Sequence, residues 1–303
     1  MARLKIAFVA SGGAARGLAH LGVLKACEEL GIHPEIYVGT GAGALVGATY
    51  GQDIPLDVLL DAYRLPWRRR HQGPRLHMTT FLGLPSARDL ADPKYLLSGV
   101  FSLEKLERYV ERTIPINDFT KLPQQVFVTA VDIDSAQRVV FGPGHEERVP
   151  ISQAVAAAQC IPGLFRPYRI GDRFYVSGEV AKTLSADVAI AAGADVIIIS
   201  NVYRPEKATS GDVARSGALG VIRQSMNILF SEKERRGVEL YAKLHPNIVF
   251  LDIAPDVGQY GYSNRFAARS LVLRGYRTGL RILADAKERG VFDRAPGIDL
   301  RIN

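Results

Sequence analysis

The chain has 303 residues, 47% of them hydrophobic and 23% charged, and 38 Lys+Arg against 31 Asp+Glu give a net charge of +7. This is the composition of a globular protein able to bury a substantial core, too apolar on average for a disordered chain. The apolar run near the start, "IAFVA" (residues 6–10), is too short to span a bilayer, and "SGGAARG" follows at once, leaving no proper signal-peptide h-region, so a buried strand is expected.

In chain order, "LKIAFVA" (4–10) reads as the first strand. The spacing of Leu18, Leu21, Leu24, Ala26 and Cys27 predicts a helix over 15–30 that stops at Gly31. "EIYVG" (35–39) is a short second strand leading into a small-residue helix, "GALVGATYG" (43–51). A Pro- and Arg-rich insertion over 64–95 follows. Its most basic part, "YRLPWRRRHQGPRLH" (63–77), contains Arg64, Arg68, Arg69, Arg70 and Arg75 with Trp67, the only tryptophan. "QVFVTAVDI" (125–133) and "QRVVFG" (137–142) read as paired strands, and "ISQAVAAAQC" (151–160) as a helix ended by Pro162. "RFYVSG" (173–178) is a further strand, followed by a helix over 184–192 and the buried strand "DVIIIS" (195–200). Beyond these come a helix over 213–240, a strand "NIVFLDI" (247–253) and a long helix over 264–289 that Gly290 ends. Strands alternating with amphipathic helices predict an α/β fold with three layers, α/β/α, and a largely parallel central sheet. Residues 4–202 form the α/β part and 203–303 a helical C-terminal part packed on the same single domain.

Three loops at strand ends carry chemistry. The first, "SGGAARGLAHLGVL" (11–24), is a glycine-rich turn between strand and helix, which leaves N–H groups free to face an anion. It is not a dinucleotide fingerprint: Gly12 and Gly17 fit the outer positions, but Ala14 stands at the middle one, and Glu35 precedes the second strand rather than following it. The second, "IYVGTGAGALVGATYG" (36–51), has the layout of a nucleophile elbow, G-x-S-x-G, but its frame is Gly39-Thr40-Gly41-Ala42-Gly43. The third is "RFYVSGEV" (173–180), a strand running into Ser177-Gly178. Isolated His20 and His33 read as core or helix-end residues, Asp132 and Asp134 as turn residues, and no metal motif is present in the sequence.

Together, in this order and spacing, these loops resemble the patatin-like phospholipase (PNPLA) family, as do "FVTAVDIDSAQRVVF", "AAQCIPGLFRPYRIGDRFYVSGEV" and "AIAAGADVIIISNV" between them. The resemblance implies a patatin-like acyl-hydrolase fold and hydrolysis of acyl esters by a Ser–Asp dyad. It also implies an oxyanion loop at Gly12, Gly13, Ala14, Arg16 and Gly17, and an elbow at Gly39, Thr40, Ala42 and Gly43.

The departures fall on the reacting groups. Gly41 stands where the nucleophilic serine belongs, Ser177 where the dyad aspartate belongs, and Glu179 where a small residue follows. Glycine cannot attack an ester, and a serine hydroxyl is no general base. Glycine does, however, accept without strain the positive φ that an elbow demands. The expectation is a protein that has lost Ser–Asp hydrolase activity and acts as an acyl- or lipid-binding or regulatory protein in lipid metabolism. Its loop would still face a carboxylate or phosphate. The alternative is an active phospholipase or acyl-ester hydrolase using non-standard residues, the candidates being Ser11, Thr40, Asp132, Asp134 and Glu179. Expected partners are an acyl lipid or membrane surface, met by the arginines of 64–75 and Trp67, or a protein such as an intact relative; nucleic acid, cofactor and metal are not expected. Cys27 and Cys160 lack disulfide or metal spacing, which fits a cytoplasmic protein, peripheral where it meets a membrane.

Overall fold

A computed structural model describes residues 4–62, 80–81, 83–84, 92–182, 184–203, 211–257 and 267–293. The basic segment with Arg64, Trp67, Arg68, Arg69, Arg70 and Arg75 lies outside the described residues.

The strands are β1 (Ile6–Ala10), β2 (Ile36–Thr40), β3 (Gly99–Phe101), β4 (Gln125–Asp132), β5 (Gln137–Phe141), β6 (Gly163–Phe165), β7 (Tyr168–Ile170), β8 (Arg173–Ser177), β9 (Val196–Ser200) and β10 (Val249–Ile253). The helices are α1 (Leu18–Glu29), α2 (Ala42–Tyr50), α3 (Leu56–Ala62), α4 (Pro93–Leu96), α5 (Glu104–Thr113), α6 (Ile151–Ala158), α7 (Ala186–Ala191), α8 (Asp212–Arg215), α9 (Gly217–Leu244) and α10 (Ala267–Glu288). The main sheet runs β10-β9-β1-β2-β4-β8-β7, with β5 paired to β4. From β10 through β4 all pairings are parallel, whereas β8, β7 and β5 add antiparallel neighbours at one side. β3 and β6 form a separate pair that the sequence pattern did not reveal.

The inner parallel strands β1, β2 and β9 are buried on both faces, which is why the core of "VIIIS" is continuously apolar rather than alternating. Phe8, Ala10, Tyr37, Val128 and Ile198 point into the larger core beneath α1, α2, α6 and α10. Their sequence neighbours Ala7, Val9, Val38, Phe127 and Ile197 point to the other face, against Val188 and Ala189 of α7. The period of two thus sorts each strand between two helical layers. Each fully buried Leu, Ile or Phe contributes about 1.5–3 kcal/mol relative to exposure.

α1 and α10 cross so closely that a β-carbon on Gly22 would overlap the Val272 carbonyl, and one on Gly275 the Ala19 carbonyl. The long C-terminal helix is thereby seated on the helix that leaves the first loop. The helix expected over 213–240 is interrupted: α8 ends at Arg215 and α9 begins at Gly217, whose φ of 75° breaks the ladder.

Candidate functional site

β1, β2 and β9 run parallel in register, so their C-terminal ends present their loops on one edge of the sheet. A hydrogen-bond network fastens the first loop there. The Ser11 amide donates to the Ser200 carbonyl at 3.1 Å, and the Gly43 amide donates to the Ser11 carbonyl at 3.1 Å. Ser11 Oγ accepts from the Val202 amide at 3.0 Å and donates to the Gly12 carbonyl at 3.3 Å. Fully buried, the Ser11 hydroxyl is committed to the loop.

His20 underpins the same loop from α1. Its Nε2 lies 2.8 Å from the Ser11 carbonyl, which only accepts, so Nε2 carries the proton; Nδ1 then accepts from the Ser200 hydroxyl at 2.7 Å. Burial pulls its pKa down to about 4 against the opposing pull of the Ser11 and Gly12 backbone bonds, so the ring is neutral at pH 7. It is a core residue, as its isolation in the sequence suggested.

The elbow has its expected shape. Gly41 adopts φ 53° and ψ −123° at the start of α2, a conformation costly for any residue with a β-carbon. The Thr40 hydroxyl is engaged within the sheet, 2.5 Å from that of Thr129 on β4. Asp132 Oδ1 accepts from the amides of Asp134 and Ser135, the pattern of a turn. At the third loop, Ser177 ends β8 with its amide donating to the Cys160 carbonyl at 2.7 Å, while its Oγ caps the turn Gly178–Val180 by accepting from the Glu179 amide at 3.4 Å.

The three loops converge on Glu179. The Gly13 amide, in the left-handed region at φ 109°, donates to Glu179 Oε1 at 3.0 Å. The same oxygen lies 2.7 Å from the position a β-carbon would take on Gly41, and a β-carbon on Gly12 would overlap the carboxylate outright. The side chain therefore fills space that exists only because residues 12 and 41 are glycine. Glu179 is 7% exposed. Burial raises its pKa, opposed by a hydrogen bond with the Tyr203 hydroxyl, the Gly13 amide and the charge of Arg16.

The loop does face a carboxylate, but the chain's own. Arg16 does not reach outward: its guanidinium carbon sits 5.0 Å from the centroid of the Tyr203 ring and its Nε donates to the Gly13 carbonyl at 3.4 Å. Ala14 takes φ 54°, and Gly17 packs where a β-carbon would meet the Ala42 side chain. Phe230 of α9 covers Tyr203 edge-on with ring centroids 5.7 Å apart, and Lys233 of α9 donates to the carbonyls of Val180 and Ala181. Sequence reading missed Tyr203 and the central place of Glu179. The one signal available was that Glu179 occupies a position where a small residue was expected.

A cavity of about 700 Å³ lies elsewhere, lined by charged and aromatic groups such as Glu107, Arg108, Arg166, Tyr168 and Phe174, and none of the loop residues lines it. No helix among the described residues is long and apolar enough to cross a membrane.

Sequence comparison identifies one family. The family model described as patatin-like phospholipase matches residues 8–190. An uncharacterized NTE family protein of Mycobacterium bovis is 25% identical over 208 residues, 69% of this chain and 52% of that one. Human patatin-like phospholipase domain-containing protein 6 is 27% identical over 197 residues, 65% of this chain and 13% of that one. The chain thus spans about half the length of the mycobacterial relative and far less of the human one. Among solved structures, VipD from Legionella pneumophila aligns over 94% of this chain and 67% of its own with 12% identity and a TM-score of 0.45.

Proposed function

Because the chain belongs to the patatin-like phospholipase family, whose model matches residues 8–190, we propose that it is a member that binds or regulates in lipid metabolism without hydrolysing acyl esters. One observation carries the reading: Glu179 Oε1 accepts from the Gly13 amide and stands beside Gly41. In the family pattern, that amide serves the oxyanion and residue 41 supplies the attacking oxygen. Here the amide is taken and residue 41 has no side chain. An oxyanion stabiliser acts only when its donor points at the reacting oxygen, so a carboxylate already held there removes the largest catalytic contribution along with the nucleophile.

The same geometry bears on ligands. A carboxylate or phosphate head must first displace a buried carboxylate, whereas a neutral acyl lipid meets no such competition. The buried free thiols Cys27 and Cys160, both with pKa pushed up to about 12 by burial, suit the proposed cytoplasmic location.

Labelling with a fluorophosphonate ester, which reacts with activated serines, tests the reading. The unmodified protein is expected to stay unlabelled, as is Gly41→Ser with Ser177→Asp, because Glu179 crowds position 41. Adding Glu179→Gly to that pair is expected to permit labelling at position 41. Labelling of the unmodified chain at a native serine would refute the proposal.

A second reading is favoured by the Tyr203 hydroxyl and Glu179 carboxylate meeting at the Gly13 amide. In it, Glu179 acts as a general base toward water in an acyl-ester hydrolase. It predicts ester turnover by the unmodified protein that Glu179→Gln abolishes.

A further inference from the structure

We infer that the outer face of α9 is a docking surface for an anionic lipid bilayer. The helix is inverted relative to one that faces water. Its buried line carries Gln224, Asn227 and Glu234 together with Phe230, whereas its outward side carries Val221 at 41% exposure, Ile222 at 58%, Met226 at 40%, Ile228 at 50% and Leu229 at 57%. Ile222, Met226 and Leu229 follow the i, i+4, i+7 line, with Val221 and Ile228 on the line beside it. Leu240 and Leu244 return to the first line about three to four turns later, at 54% and 62% exposure. Contiguous exposed aliphatic surface of this kind marks an interaction site.

The inward side explains why the helix does not roll over to hide these residues. Phe230 is stacked edge-on against Tyr203, and Lys233 is held by the carbonyls after Glu179. Phe230 and the Lys233 side chain fasten the helix to Tyr203 and the loop after Glu179, while the aliphatic residues named above stay exposed.

Charge selects the occupant. The exposed surface of the second half of α9 carries Arg235, Arg236 and Lys243 against Glu232 and Glu239; the two arginines pair with those glutamates, Lys243 is in excess, and the whole chain is +7. Two copies of a +7 chain repel one another, whereas an anionic leaflet attracts each of them. Aliphatic residues in a row with basic neighbours match an interfacial helix lying in the headgroup plane, its lysine and arginine stems reaching to phosphate while Ile222, Met226 and Leu229 enter the acyl boundary. This inference stands independently of whether the loop cluster hydrolyses esters, since it concerns only the helix's outer side.

Flotation with phosphatidylcholine vesicles, with and without about one-quarter phosphatidylglycerol, reads the interaction without any turnover. The unmodified protein is expected to float with the anionic vesicles, less so at high salt. Met226→Glu with Leu229→Glu is expected to weaken binding about tenfold or more while leaving circular dichroism and thermal midpoint unchanged. Arg236→Glu with Lys243→Glu is expected to weaken binding and its salt dependence. Failure of the unmodified protein to float with anionic vesicles would overturn the inference, as would binding undiminished by the Met226 and Leu229 changes. A dimer in light scattering that those changes convert to monomer, without vesicle binding, would assign the face to a second copy and overturn it equally.

Discussion

Glu179 and Gly41 share one space: Oε1 of the glutamate lies 2.7 Å from where a β-carbon on residue 41 would stand. A side chain at 41 therefore requires the glutamate to move. The glycine at 41 and the glutamate at 179, 138 positions apart in the sequence, are thus neighbours at one point of the fold.

It follows that Gly41→Ala is costly in this background. The φ of 53° imposes about 1–3 kcal/mol on a residue with a β-carbon, and displacement of Glu179 adds to it. Glu179→Gly is expected to return part of that cost. A double-mutant cycle by urea denaturation should give a coupling of about 1 kcal/mol or more; simple additivity would show that the two side chains do not compete.

Stability should fall with acidification. His20 titrates near 4 in the folded protein against about 6.5 unfolded, so between those values the unfolded chain binds the extra proton and the folded state loses up to roughly 3 kcal/mol, with none lost further below pH 4. Glu179 acts in the opposite sense. Its raised pKa favours the folded state at low pH, a contribution lost as pH rises above the ordinary glutamate range. Glu179→Gln removes that offset, so the decline in urea midpoint from pH 6.5 to 4 should be steeper in the variant than in the unmodified protein.

The α1–α10 crossing should tolerate no side-chain growth. Gly22→Ala is expected to destabilise by about 1–3 kcal/mol, because the obstructing atom is the Val272 carbonyl and not a flexible side-chain end. An unchanged thermal midpoint would contradict this packing.

Thr40 should matter for stability. Thr40→Val strands the Thr129 hydroxyl in a buried position at a cost of about 1–3 kcal/mol, and Thr129→Val added to it should recover part of the loss. If Thr40→Val left stability intact, the pairing would be wrong.

Much of the architecture was legible. Strands such as "VIIIS" announce themselves because burial on both faces demands unbroken apolar residues, and the alternation of glycines in 39–43 encodes the positive φ at Gly41. Short β3, β6 and β7 carry too few residues for a period to emerge. The break at Gly217 was hidden inside an otherwise continuous helical pattern. The site's centre was illegible for a different reason. The bond from the Gly13 amide to Glu179 spans 166 positions. Local spacing carries no record of which distant side chain a turn's free amide meets. The inversion of α9 was hidden likewise, since a helical period shows that two faces differ but not which one faces water.

Ester turnover by the unmodified protein tests the central claim most directly. With short-chain p-nitrophenyl esters and phosphatidylcholine as substrates, the account predicts release at the buffer rate, unchanged by Glu179→Gln or Tyr203→Phe. Turnover above buffer that either substitution eliminates would contradict it and make the glutamate at the Gly13 amide a catalytic residue.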